Sequence, residues 1–84
     1  MDINELLGYK LVCIMSKDLR NEGNYTTSEF QVVFKENSKE ESGYVAIVSG
    51  VNEEGQDYSE EWPAEGVYNN LSFGTWEILR KNRL

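Results

Sequence analysis

Histidine is absent from this 84-residue chain, and Cys13 is its single cysteine. Without histidine the chain lacks the usual general base near neutral pH and the commonest metal ligand of proteins. Catalytic arrangements of the Ser-His-Asp or Cys-His type therefore cannot be built. One cysteine excludes an intramolecular disulfide, and its apolar neighbours indicate a buried structural thiol. These absences predict a protein that is not an enzyme and binds no cofactor.

Other chemical sites are also disfavoured by the sequence. A calcium loop of the EF-hand type would place Gly55 at its invariant glycine, but Gly50 would then stand at the first ligand position without a side-chain oxygen. No glycine-rich phosphate-binding motif occurs. Paired carboxylates of the glycosidase type need a deep cleft, for which so short a chain leaves little room. The sequence thus predicts no catalytic residues and no metal site.

Basic residues are missing between Lys39 and Arg80. This span holds nine of the fifteen acidic residues, whereas the rest of the chain holds eight basic and six acidic ones. The net charge is −7. Direct binding of nucleic acid is disfavoured because phosphates need a positive potential, and a basic protein partner is favoured. Solubility alone is the alternative explanation of the charge.

Long apolar runs are absent, and no stretch approaches the roughly 18 apolar residues of a membrane helix. The chain also lacks a charged leader followed by an apolar segment. We therefore expect a soluble, cytoplasmic protein without membrane contact. A length of 84 residues fits one small globular domain, 1–84.

Residues that favour β-strands, namely the β-branched and aromatic ones, recur along the chain. The alternation of Phe30, Val32 and Phe34 with polar residues is typical of a strand with one buried face. We predict a mainly β fold, at the border of α+β, with a single antiparallel sheet or half-barrel of four to five strands. A short helical turn is expected at the N-terminus, within 1–7. The predicted strands are about 9–16, 25–36, 43–51 and 71–80, with 56–62 as a further candidate.

Two alternatives remain open for the segment 56–69. It fits a short strand at 56–62, or a helical turn around 63–69 with Pro63 at its first position. Pro63 excludes a central strand through its own position, and Gly66 weakens the helix. At the C-terminus, 80–84 is a basic tail that we expect to fray.

The segment from Glu53 to Tyr68 interleaves carboxylates with aromatic rings and contains no basic residue. Carboxylates attract a basic partner, and aromatic anchors add affinity once the partner is docked. We predict a partner-binding surface made of Glu53, Glu54, Asp57, Tyr58, Glu60, Glu61, Trp62, Glu65 and Tyr68. The alternative is that Trp62 and Tyr68 are core residues with a solvated acidic rim.

Two functions fit these features. The first is a small acidic protein-binding module, in the manner of an inhibitor or immunity-type protein. It would block a basic surface of a partner such as a nucleic-acid-processing enzyme, with nucleic-acid mimicry as its strongest form. The second is a structural or assembly subunit that self-associates or docks through an apolar sheet face. The sequence leaves open whether the protein is a monomer or a homodimer.

Overall fold

The computed structural model describes residues 2–17, 28–52 and 54–84. Within these ranges the chain forms a five-stranded antiparallel sheet and two helices, which confirms the predicted mainly β fold. In chain order the elements are α1 (Ile3–Leu6), β1 (Tyr9–Met15), β2 (Phe30–Glu36), β3 (Tyr44–Val51), β4 (Asp57–Pro63), α2 (Ala64–Ser72) and β5 (Trp76–Arg83).

The strands lie in the order β4-β3-β2-β1-β5. The first four are neighbours in both sequence and space, so they form a meander. β5 pairs with the outer side of β1, and α2 contacts both β4 and β5 as it connects them. Among the described strands, this topology leaves β4 and β5 as the two free edges of the sheet.

The core lies on one face of the sheet, between the strands and the helices. Alternate residues of β1, β2 and β3 point to this face, and each is at most 3% exposed. They are Leu11, Cys13, Phe30, Val32, Phe34, Ala46 and Val48. α2 adds Ala64, Val67 and Leu71, whose spacing puts them on one side of a helix.

The centre of the opposite face consists of β-branched residues. Val12 and Val45 are each 6% exposed there, and Ile14, Val33 and Ile47 are half-buried. Two apolar faces in the segment 9–16 predict a strand that is central in the sheet or covered on both sides. β1 confirms this because it lies between β2 and β5.

The two outer strands approach each other over the core face. The ring centroids of Trp62 in β4 and Trp76 in β5 are 5.6 Å apart, although three strands separate β4 from β5 in the sheet. A flat sheet could not bring these rings together, since neighbouring strands are spaced about 4.8 Å apart. The sheet is therefore curled into a half-barrel.

Two predictions for the C-terminal third are corrected. The strand predicted at 71–80 begins only at Trp76, because Leu71 belongs to the buried side of α2 and Gly74, with φ of +79°, follows the helix end. The tail 80–84 is not frayed, since β5 pairs with β1 as far as Arg83 opposite Tyr9. Basic residues are compatible with a strand whose side chains face water.

Both alternatives for 56–69 occur, one after the other. β4 runs to Pro63, and α2 begins one residue later and continues to Ser72. Pro63 suits the end of an edge strand, and its φ of −57° suits the entry into a helix. Of the strand predicted at 25–36, residues 30–36 form β2, whereas Ser28 and Glu29 precede the strand and correct its predicted beginning; residues 25–27 lie outside the described residues.

Candidate protein-binding edge

β4 places its side chains alternately on the two faces of the sheet. Glu60 pairs with Val48, and Trp62 pairs with Ala46, so both lie on the core side of the strand. Glu61 pairs with Ile47 on the opposite face. This alternation is the one that any strand at 56–62 would show. The predicted acidic segment is thereby divided between two faces of one edge strand.

The turn before β4 is fixed by the side chain of Asn52. Its Oδ1 accepts hydrogen bonds from the backbone N of Glu54 at 2.9 Å and of Gln56 at 3.0 Å. Gly55 supplies the positive φ of +80° that the turn requires. Glu54 is consequently exposed at the tip of the β3–β4 hairpin.

Within the described part of the chain, the carboxylates of this segment face solvent without cationic partners. Glu54, Asp57, Glu60, Glu61 and Glu65 are all exposed. Among the described residues, the ion pair within 4.0 Å joins Arg80 to Glu29, and none of these five carboxylates takes part in one. Their negative potential is therefore not neutralised by neighbouring side chains.

The β2–β3 turn adds two carboxylates beside the end of β4. Glu40, Glu41 and Glu65 line a groove of about 270 Å³ together with Tyr44 and Pro63. Glu40 also lines a second depression with Glu61 and Trp62. We use the name acidic edge for the exposed set Glu40, Glu41, Glu54, Asp57, Glu60, Glu61 and Glu65.

Trp62 is held at this edge by two contacts. Its indole Nε1 donates a hydrogen bond to Oε2 of Glu60 at 2.9 Å. Its ring lies against that of Trp76 at a tilt of 56°, and Trp62 remains 36% exposed. Trp76 is 6% exposed and makes an edge contact with Phe30. Trp62 is thus the exposed member of a ring cluster anchored in the core.

Tyr58 lies partly buried on the backbone of β3. A Cβ atom at Gly50 would come within 3.0 Å of the Tyr58 hydroxyl oxygen and within 3.3 Å of Phe30 Cβ. The absence of a side chain at Gly50 therefore makes room for the Tyr58 ring. Burial raises the pKa of the Tyr58 phenol above its ordinary value, and the Glu60 carboxylate adds to the increase.

A small apolar notch opens between these rings. Its volume is about 90 Å³. We use the name aromatic notch for this site, which is lined by Met15, Phe30, Val48, Tyr58, Trp62 and Trp76. A water molecule occupies roughly 30 Å³ of liquid, so the notch has the scale of one aliphatic side chain rather than of a cofactor.

The predicted site residues are only partly brought together. Tyr58 and Trp62 line the aromatic notch, and Glu60 accepts a hydrogen bond from Trp62. Glu61 and Glu65 each line a groove with Glu40. Asp57 and Glu54 continue the negative charge toward the hairpin tip. Tyr68 is half-buried and packs against the core, which matches the alternative interpretation of that residue. Glu53 lies outside the described residues.

Some residues of the aromatic notch and of the acidic edge could not be assigned to the site from the sequence. Trp76 and Phe30 are distant in the chain from the acidic segment, and only the curl of the sheet joins them to it. Glu40 and Glu41 lie in a turn whose position beside β4 depends on the register of three strands. Phe73, within the strand predicted at 71–80, is instead 81% exposed at the end of α2.

Among the described residues, no group of three or more His, Cys, Asp or Glu side chains could hold a metal ion. The helices of the described ranges are all too short or too polar to cross a membrane. The chain matches no protein-family model, no curated protein and no solved structure.

Proposed function

We propose that this chain is a small, non-catalytic protein-binding module that captures a basic segment of a partner protein along β4. The observation that carries the proposal is the coincidence of three features on one outer strand of the described sheet. These are an unpaired edge, exposed carboxylates without cationic partners, and an aromatic notch. By covering a basic surface, the module acts as an inhibitor or immunity-type protein.

The free edge supplies main-chain hydrogen bonds. β4 has seven residues, which span about 20 Å at roughly 3.3 Å per residue. An extended partner segment can add to such an edge as a sixth strand, with the unpaired N–H and C=O groups of β4 as its partners. This mode of binding supplies affinity without a deep pocket.

The acidic edge supplies selectivity for a basic partner. Its carboxylates accelerate the encounter with a positive surface and penalise an acidic one. Exposed charges of this type are screened by salt, because the Debye length falls from about 10 Å at 0.1 M to about 3 Å at 1 M. Capture should therefore weaken as the salt concentration rises.

The aromatic notch supplies an anchor point. Aromatic side chains are enriched among the residues that dominate binding energy, and Trp62 already stands half-exposed beside Glu60. A partner segment that combines a Lys or Arg with a neighbouring aliphatic residue would match this pairing of carboxylate and notch. The partner chemistry is thus basic and amphipathic.

Nucleic-acid mimicry is the strongest form of the proposal. Each strand of a duplex presents one charge about every 3.4 Å, whereas alternate residues on a β-strand face are about 6.6 Å apart. β4 carries Glu60 on one face and Asp57 and Glu61 on the other, so neither face reaches half of the required density. Glu40 lies beside Glu61 and raises the density at one end of the strand. A nucleic-acid-processing enzyme is one example of a partner with the basic surface that the proposal requires.

The test is an affinity capture from lysate with the wild-type chain and two matched double variants, read by mass spectrometry. Glu60→Lys plus Glu61→Lys reverses two charges on the acidic edge. Glu36→Lys plus Glu77→Lys makes the same change at exposed positions off that edge. We expect a basic protein to be retained by the wild type and the control variant and lost by the edge variant. Equal retention by all three chains of equal melting temperature would refute the proposal.

A further inference from the structure

Four of the six residues that line the aromatic notch carry an aromatic ring. Phe30 and Trp76 are at most 6% exposed, whereas Tyr58 and Trp62 keep part of their surface in solvent. Trp76 is inclined by 56° to Trp62 and by 74° to Phe30, so these rings do not stack flat on one another. The notch is therefore a corner that is walled by rings and accessible to solvent.

Glu60 places a negative charge beside the notch. Its Oε2 accepts the hydrogen bond from Trp62 Nε1 at 2.9 Å, and burial, followed by the charge of this carboxylate, raises the pKa of the Tyr58 phenol. None of the lining residues is basic, and among the described residues Glu60 has no ion-pair partner within 4.0 Å. Because the faces of aromatic rings are also negative, the site favours a cation.

We propose that the aromatic notch binds the trimethylated ammonium group of a lysine in the partner protein. The inference rests on the proposed function and deepens it, because it names the side chain that docks beside β4. The volume of the notch, about 90 Å³, is that of about three water molecules in the liquid. This is the scale of one nitrogen with its methyl groups, and a larger ring system would not fit.

An unmodified lysine matches the notch less well. Its ammonium group is strongly hydrated and carries N–H donors, whereas the lining side chains offer the Tyr58 hydroxyl as their one oxygen acceptor. Trimethylation keeps the positive charge, removes the donors and adds apolar surface. A neutral aliphatic group of the same shape would lack the attraction to the ring faces and to Glu60. The notch therefore selects for both the charge and the methyl groups.

The charges near the notch favour a lysine within a basic segment over a free small cation such as choline. Asp57 and Glu61 lie on the same strand as Glu60, exposed on the other face of the sheet. A protein segment that carries further basic residues gains from these carboxylates, because they attract its other charges. Choline carries no further charge, so it gains only the contacts within the notch.

The test is a titration of the full chain with three peptides of one basic sequence. Their central lysine is unmodified, trimethylated or replaced by the carbon isostere of trimethyl-lysine, in which an uncharged tert-butyl group replaces the trimethylammonium group. Both tryptophans of the chain line the notch, so their indole N–H signals in NMR spectra report its occupancy. The trimethylated peptide should bind about tenfold more tightly than either of the others, as cation–π contacts with a desolvated cation allow. Choline alone should bind more weakly than this peptide.

Two variants locate the effect. Trp62→Leu should abolish the preference for the trimethylated peptide, because it removes a ring from the notch. Glu60→Gln should weaken this preference, and Glu36→Gln, which makes the same change at an exposed position on β2, should leave it unchanged. The comparison of peptides on the wild-type chain decides the matter even if a variant fails to fold.

The outcomes separate this inference from the proposed function. Equal affinities for the three peptides, all reduced by salt, would overturn the inference and leave the proposed function intact. A preference for the trimethylated peptide with affinities that salt does not change would refute the role of the acidic edge in the proposed function instead. Choline that binds as tightly as the trimethylated peptide, or indole signals that do not shift with any ligand, would also overturn the inference.

Discussion

The rings of Trp62 and Trp76 lie 5.6 Å apart and tilted by 56°, and they join the two outermost strands of the sheet across its core face. Trp76 is buried against Phe30, whereas Trp62 keeps one side in solvent. The pair therefore closes the half-barrel on its inner side and presents an aromatic surface on its outer side. Replacement of Trp76 should therefore affect mainly stability, and replacement of Trp62 mainly binding.

Replacement of the two tryptophans should have unequal effects on stability. We expect Trp76→Ala to lower the free energy of unfolding by about 3–5 kcal/mol, as is typical of a buried aromatic residue. Trp62→Ala should cost less, about 1–3 kcal/mol, because 36% of its surface is already exposed and it makes one ring contact, whereas Trp76 makes two. Urea unfolding followed by circular dichroism measures both. Equal losses would show that Trp62 is as much a core residue as Trp76.

A methyl group at Gly50 should disturb the aromatic notch. Its Cβ would lie 3.3 Å from Phe30 Cβ and 3.0 Å from the Tyr58 hydroxyl oxygen, so Tyr58 must move outward. We expect Gly50→Ala to lower the free energy of unfolding by about 1–3 kcal/mol, the usual cost of overpacking. Gly66→Ala is the control, because nothing lies within 4 Å of a Cβ there. A Gly50→Ala variant as stable as the wild type would contradict the close packing of Tyr58.

The thiol of Cys13 should be inert in the folded protein. Cys13 is 0% exposed, and burial raises the pKa of its thiol to about 12. An unfolded chain loses this proton near pH 8.5. The folded state is therefore favoured below that pH, and this contribution declines as the pH rises toward 12. Alkylation by iodoacetamide at pH 8 should proceed only through unfolding, and rapid labelling of the native chain would contradict burial.

The stability profile gives a second test of the same thiol. Between roughly pH 8.5 and 10.5 the wild type should lose more stability than Cys13→Ala, which has no thiol to ionise. Urea unfolding across this range measures the difference. Parallel profiles would show that the folded and unfolded chains ionise this group alike.

Tyr9 and Tyr58 should titrate in a defined order. The hydrogen bond from Arg83, together with its charge and that of Lys81, lowers the pKa of Tyr9, because cations favour the phenolate. Burial and then Glu60 raise the pKa of Tyr58. Ultraviolet titration of the wild type, Tyr9→Phe and Tyr58→Phe should assign the earlier transition to Tyr9. In Glu60→Gln the Tyr58 transition should move to lower pH, and an unchanged position would remove Glu60 as a cause.

Much of the fold could be predicted because β2 alternates between apolar and polar residues and because β1 and β3 are rich in strand formers. The alternation around Val32 and the apolar run 43–51 predict β2 and β3 within a few residues. The structure of the segment 71–80 is harder to predict. Leu71 continues the helical spacing of Val67, whereas the residues after Gly74 return to a strand pattern. A pattern taken over all of 71–80 therefore mixes the end of α2 with the beginning of β5.

The candidate site was less accessible to sequence reasoning. The acidic composition of β4 is local, so its exposed carboxylates could be named in advance. The aromatic notch is not local, because Met15, Phe30 and Trp76 reach Trp62 only through sheet curvature. The role of Gly50 likewise depends on its register opposite Tyr58. Long-range pairing, which no single segment encodes, determines these contacts.

The most direct test of the central claim is a titration of the captured basic partner with the wild-type chain and with Glu60→Lys plus Glu61→Lys, at about 0.1 M and about 1 M salt. If unneutralised carboxylates along β4 recognise the partner, the wild-type affinity should fall by about tenfold or more with salt, and the variant should bind at least that weakly at low salt. Equal dissociation constants for both chains, unchanged by salt, would contradict it.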